Sequence, residues 1–181
     1  MNFHWSTIVR FALVVLVTIG VVRAQSEQQW YGGADDVAFA EDLWGAMRQA
    51  RLVGDDATAG NPYVGTHPHG AILEVDMQTI TVRGVASEVV SKRSYRGIGA
   101  TIEDVQADRA SFIQDVTVMF KREAGYDPIA QDWFWAKYNP DGTLDATPNG
   151  VQLAGRIAKG KPKGCIACHL KAAGGDLLFV N

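Results

Sequence analysis

The chain has only two cysteines among its 181 residues. No disulfide framework can staple it, so its stability must come from an apolar core. No apolar run approaches the ~20 residues that a membrane-spanning helix needs; the run Phe11 to Val22 (FALVVLVTIGVV) is twelve residues long. An excess of positive charge is missing as well. Seventeen Lys and Arg against 20 Asp and Glu leave a net charge of −3, which argues against a nucleic-acid partner and offers no basic surface to anionic lipid. There are no internal repeats and no low-complexity tracts. Methionine is sparse, four in all, and none follows His169.

The apolar run has a leader's layout. His4 and Arg10 precede it, and Val22-Arg23-Ala24 follows it with residues a signal peptidase accepts. Residues 1–24 are therefore predicted to be a secretory signal cleaved before Gln25, with an uncleaved N-terminal anchor as the other reading. Residues 25–181 then form one domain of ordinary size. Loss of the leader's two arginines takes the net charge from −3 to −5, which suits a basic redox partner as well as it suits most soluble proteins.

The two cysteines stand in Cys165-Ile166-Ala167-Cys168-His169. C-x-x-C-H is the attachment signature of c-type haem. The two thiols add to the haem vinyl groups from one short helical turn, and the adjacent histidine becomes the axial ligand of the iron. Two plainer readings are a redox dithiol, and half of a zinc site completed by His67 and His69. Neither needs a histidine directly after the second cysteine. Haem c and export agree, since covalent haem attachment takes place outside the bacterial cytoplasm, and together they predict a periplasmic protein.

Asp36 to Val53 is predicted to be a helix. Asp35 and Asp36 would cap it, Val37, Ala40, Leu43, Trp44, Met47 and Ala50 would give it an apolar face, and Gly54 would end it. Residues 54–70 read as a loop. The period then changes to two. Leu73 to Met77, Gln78 to Arg83 (with Ile80 and Val82 inward), Glu88 to Tyr95, Ile113 to Lys121 and Asp132 to Tyr138 read as strands. Asn139-Pro140-Asp141-Gly142 is a turn, and a short helix is expected around Leu153 to Lys159. The predicted class is α+β and β-rich: an antiparallel sheet with flanking helices and a C-terminal haem site.

That order separates the chain from small electron-carrier cytochromes, whose CxxCH lies near the N-terminus, and from four-helix cytochromes c′, which are helical throughout. Its segments Thr117-Val118-Met119-Phe120-Lys121, Gly125-Tyr126-Asp127-Pro128, Asp132 to Tyr138 (DWFWAKY), Pro140-Asp141-Gly142, Gly155-Arg156, Gly164 to His169 and Ala172 to Asp176 with Phe179 resemble the cytochrome P-460 family, which includes the β-sheet cytochromes c′. The resemblance runs from about residue 66 to the end. It implies one five-coordinate haem c, a homodimer, and oxidation of hydroxylamine with related nitric oxide chemistry. It also implies a covalent bond from a lysine to the haem ring. Val90-Ser91-Lys92-Arg93-Ser94-Tyr95 is similar to the segment that carries this lysine, which puts Lys92 in that role. The chain departs from the family at Glu74, where the enzymes tend to carry an arginine.

Oxidising hydroxylamine releases protons with electrons, so a base is expected beside the open side of the iron. Glu74, Asp76, Glu88 and Asp132 are the candidates, each with the alternative of a solvent-facing strand residue. His67 or His69 could ligate the iron or shuttle protons, or simply form an exposed turn around Pro68. Met47, Met77 and Met119 read as core, or as a sixth ligand in a simple electron carrier. Trp133, Phe134 and Trp135 read as core with one face at the haem edge. Arg156 and lysines 159, 161 and 163 could pair with haem propionates or form a solvated stretch. The partners expected are a small nitrogen-containing molecule, a soluble redox cytochrome and a second copy of the chain. The alternative is a nitric-oxide-binding cytochrome without turnover.

Overall fold

The structure is a computed structural model that describes residues 29–66, 68–96, 99–159 and 165–179. The leader assigned to residues 1–24, His67, Lys161 and Lys163 lie outside the described residues. Among the described residues no helix is long and apolar enough to cross a membrane.

Helix α1 spans Ala34–Gln49 and buries Phe39, Ala40, Leu43 and Met47, the face its apolar spacing predicts. Its ends differ from expectation. Gly33 is the N-cap, and Asp35 and Asp36 lie in the first turn, where they oppose the helix dipole. The helix stops four residues early. Arg51 takes a left-handed φ of 57°, and the turn lets Leu52 and Val53 fold back into the core at 3% and 1% exposure.

Six strands follow: β1 (Tyr63–Val64), β2 (Ile72–Val82), β3 (Val85–Tyr95), β4 (Ile113–Lys121), β5 (Trp133–Tyr138) and β6 (Ala154–Gly155). They form one antiparallel sheet in chain order. The β2–β3 hairpin turns on Arg83 and Gly84, with φ of 50° and 80°, the two positive values that a tight hairpin turn requires. The turn at Asn139–Gly142 forms as the sequence predicts, closed by Gly142 N–H to Asn139 O at 3.0 Å. Gly142 has φ +90°, and a Cβ there would sit 2.3 Å from Trp44 Nε1. Two short helices that sequence reading missed, α2 (Ile102–Ala107) and α3 (Arg109–Phe112), cross between β3 and β4. The first carries a reciprocal Thr101–Asp104 capping box. A 3-10 turn covers Pro128–Ala130, and α4 is Cys165–His169. The helix expected over residues 153–159 is absent. Ala154 and Gly155 extend there as β6 against Trp135 and Ala136, because an edge of β5 is open to pair with them.

The register sorts the side chains into two faces. Val89, Val116, Val118, Phe120, Phe134, Ala136 and Tyr138 lie on one face and pack against α1. Phe39 meets Phe134 edge-on at 4.8 Å, and the Tyr138 hydroxyl donates to Ala40 O at 2.8 Å. Val90, Met119, Trp133 and Trp135 lie on the other face, against Ala158, Ile166, Leu177 and Leu178. Leu43 has no exposed surface in the first core. Leu43→Ala is expected to destabilise the chain by about 2–5 kcal/mol, the cost of lost burial plus a cavity, measured by urea unfolding. A loss under about 1 kcal/mol would mean that α1 is not seated on the sheet as described.

Candidate functional site

The second face of the sheet holds a cleft of about 680 Å³, counting the part open to solvent. Its floor is Val90, Lys92, Met119 and Trp135 from β3, β4 and β5. Ile157, Leu178, Phe179, Cys165, His169 and His69 line the rest of it. Five residues of helix bring Cys165 and His169 together, because positions i and i+4 share a face. Both cysteines are solvent-exposed thiols.

His169 is 7% exposed. Its ring packs edge-on to Trp135 at 4.9 Å and to Phe179 at 5.4 Å, and stands 6.2 Å from the ring of His69. Its Nδ1 lies 2.5 Å from Leu177 O. A carbonyl only accepts, so Nδ1 carries the proton and Nε2 keeps a lone pair. Burial pushes the imidazole towards its neutral form, the Leu177 carbonyl opposes that, and the positive charge of Lys92 adds to it. A neutral imidazole with Nδ1 committed to a backbone carbonyl is the arrangement a metal ligand takes. Leu177 reaches this position with φ +65°, a left-handed conformation that costs a branched L-residue about 1–2 kcal/mol.

Lys92 is directed into the cleft by register. It faces Val75 on β2 and Thr117 on β4, one residue out of phase with Ser91 and Arg93, which point to the α1 face. Burial pushes its ammonium towards the neutral amine. No carboxylate pairs with it among the described residues. Trp135 Nε1 is buried in the cleft without a hydrogen-bond partner. The site fits a haem c in three respects: the Cys165 thiol beside an imidazole with Nε2 available, apolar walls, and an indole donor left over for a propionate; Cys168 is exposed and does not line the cleft.

Glu74, expected from the sequence as the base, is not in the cleft. It pairs with Arg93 across the sheet, on the α1 side, and has no exposed surface. Arg109 reaches its carboxylate at 2.9 Å, Arg93 at 3.2 Å, and the Tyr95 hydroxyl donates to it at 2.5 Å. The carboxylate is thus neither a pocket base nor a solvent-facing strand residue. Asp76 stands on the same side, 2.8 Å from Arg93, and burial outweighs that guanidinium in holding its carboxyl above the usual range. Asp132 accepts the Asp127 N–H at 2.8 Å, away from the cleft lining. Glu88 belongs by register to the cleft side of β3 but does not line the cleft. Met119 lines it, whereas Met77 is 47% exposed and Met47 is in the α1 core. Arg156 stacks on Tyr126 and Lys159 on Trp30, both away from the cleft. No sequence signal marked Leu177 or Lys137; the latter lines the cleft while bound to Asp115 and Asp145.

Protein-family models, curated proteins and solved structures were compared with the chain and none matches it.

Glu74→Ala is expected to cost about 3–5 kcal/mol, since it removes the buried carboxylate shared by Arg93 and Arg109 and leaves Arg93 to Asp76 alone. Urea unfolding measures it. A change below about 1 kcal/mol would show that the network does not hold Glu74 in place.

Proposed function

We propose that the cleft holds one c-type haem and that this chain is an exported, periplasmic cytochrome of the P-460 type. It oxidises hydroxylamine or a related small nitrogen compound and passes the electrons to a soluble cytochrome. The observation that carries this reading is that Lys92, Cys165 and His169 line one apolar cleft, although Lys92 and the cysteines lie more than seventy residues apart.

Cys165 and Cys168 would hold the haem through thioethers, with His169 Nε2 on the iron. When bound, the group supplies a redox-active iron with a position open to a small ligand. Lys92 would be its third covalent tether. Burial shifts its ammonium in the direction of the amine, the nucleophilic form. A bond from its Nζ to a ring carbon would replace an N–H and a C–H, and would therefore require a two-electron oxidant such as a peroxide. With Glu74 held across the sheet, His69 is the side chain best placed to accept substrate protons. It lines the cleft, and an imidazole takes up and releases protons near neutral pH. Val90, Ile157 and Leu178 give the same space an apolar lining. The homodimer implied by the resemblance belongs to the same proposal.

A second reading, a nitric-oxide-binding cytochrome without turnover, is favoured by one feature. No carboxylate lines the cleft among the described residues.

The optical spectrum of the reduced protein, with mass analysis of its digest, separates the two. A Soret band strongly red-shifted from ordinary ferrous haem c, with the Lys92 peptide retained on the haem peptide, is expected. An ordinary high-spin spectrum with a released Lys92 peptide would leave the gas-binding reading. A chain that takes up no haem would overturn both. On the enzyme reading, His69→Ala is expected to lower hydroxylamine oxidation about 100-fold or more, the scale of a lost general base, with Lys92 still attached. Unchanged turnover would remove His69 from that role.

A further inference from the structure

We propose that the tail from Gly174 to Leu178 is a positioning device for His169, with Asp176 and Trp133 as its positioning residues. The proposal rests on the haem reading only for its electronic consequence. The device itself is a chain of hydrogen bonds. Gln131 and Trp133, at the start of β5, each donate to a tail carbonyl: the Gln131 amide to Gly175 O, and Trp133 Nε1 to Asp176 O at 3.2 Å. Trp133 is 1% exposed, so this anchor is fixed by the core. Asp176 then folds its own side chain back, and its Oδ1 accepts the Leu178 N–H at 3.0 Å. Between these two fixed points Leu177 is turned left-handed, after Gly174 and Gly175 at φ +96° and +73°. In that conformation its carbonyl meets His169 Nδ1.

A leucine adopts this backbone only where its surroundings impose it. Leu177 and Leu178, at 4% and 8% exposure, pack into the cleft-side core, so the tail is held by burial as well as by hydrogen bonds. The device does two things. It fixes the ring plane and tautomer of His169, and it raises the electron density at Nε2, because a donor's partner makes the rest of the imidazole more basic. On a haem iron that favours the oxidised state and lowers the reduction potential.

The test begins on the full chain as isolated, with or without haem, by NMR of the His169 Nδ1 proton. Slow exchange is expected in the unaltered chain. Asp176→Ala is expected to speed it about tenfold or more, and Asp176→Asn, which keeps an Oδ1 acceptor, to restore it. On haem-loaded protein the reduction potential of Asp176→Ala is expected to rise by about 59 mV, the equivalent of a tenfold change for one electron, and the iron–histidine stretching frequency to fall. If Asp176→Ala does not fold, Trp133→Phe replaces it with the same expected shifts. Fast exchange in the unaltered chain overturns the proposal. So does a variant with lowered melting temperature but unmoved exchange, potential and stretching frequency. A chain without haem would defeat the haem reading, while the exchange measurement would still decide the positioning role.

Discussion

The central strands of this protein must be covered on both faces, and the rest of the structure follows from how differently the two covers are made. On one face α1 lays a continuous apolar stripe against β4 and β5, and Phe39, Leu43 and Met47 complete an ordinary core. Among the described residues no long helix covers the other face. Val90, Met119, Trp133 and Trp135 are large and apolar, yet what covers them is one turn of helix, a short irregular tail and the turns after β6. Pieces of that size cannot close a sheet face fully, and the cleft is the space they leave. Side chains that elsewhere would be buried in protein therefore line a cavity with cysteine and histidine at its rim.

The same two-sided sheet explains where the charge went. Glu74 and Lys92 sit on neighbouring strands, but a one-residue phase difference sends them to opposite faces. Beyond the reach of α1, the helix face is closed by the loop before β1, and that loop is fastened by arginines: Arg93 donates to Thr58 O at 3.0 Å and Arg109 to Gly60 O at 3.2 Å. Two guanidiniums under a loop need a buried anion, which Glu74 supplies. Its role is to balance Arg93 and Arg109 where water cannot. An arginine at position 74 could not do this.

What could be read from the sequence follows the same physics. Period-two alternation with β-branched and aromatic residues located β4 to the residue and β2, β3 and β5 nearly so, because the sheet imposes that period directly. The helical turn at Cys165–His169 was legible because C-x-x-C-H spacing is that of one short turn. That Lys92 faces the cleft was not legible from residue pattern: nothing in VSKRSY says which of Lys92 and Arg93 faces which way until Val75 and Thr117 fix the register. Glu74 was misread because alternating Leu73-Glu74-Val75-Asp76 looks like a strand with a wet face, and the arginines that make that face dry lie 19 and 35 residues further along. Helix α2 was short and polar, with one buried side chain, Val105, so it left little periodicity to find.

The weak cover on the second face also bears on why a covalent cofactor suits it. Ile166, Leu177 and Leu178 contribute apolar burial there, each worth about 1.5–3 kcal/mol when complete. Against this stand the ordering of a glycine-containing tail and the strained backbone of Leu177. The balance of such a segment is close to even. A large planar apolar group tethered to Cys165 and Cys168 would fill the cleft and add the missing burial. Because the tether belongs to the segment it stabilises, that gain would not depend on the concentration of a free ligand. The helix that carries the thiols, the tail that holds His169 and the sheet face beneath them would then be one cooperative unit, in which binding the group and completing the fold are the same event.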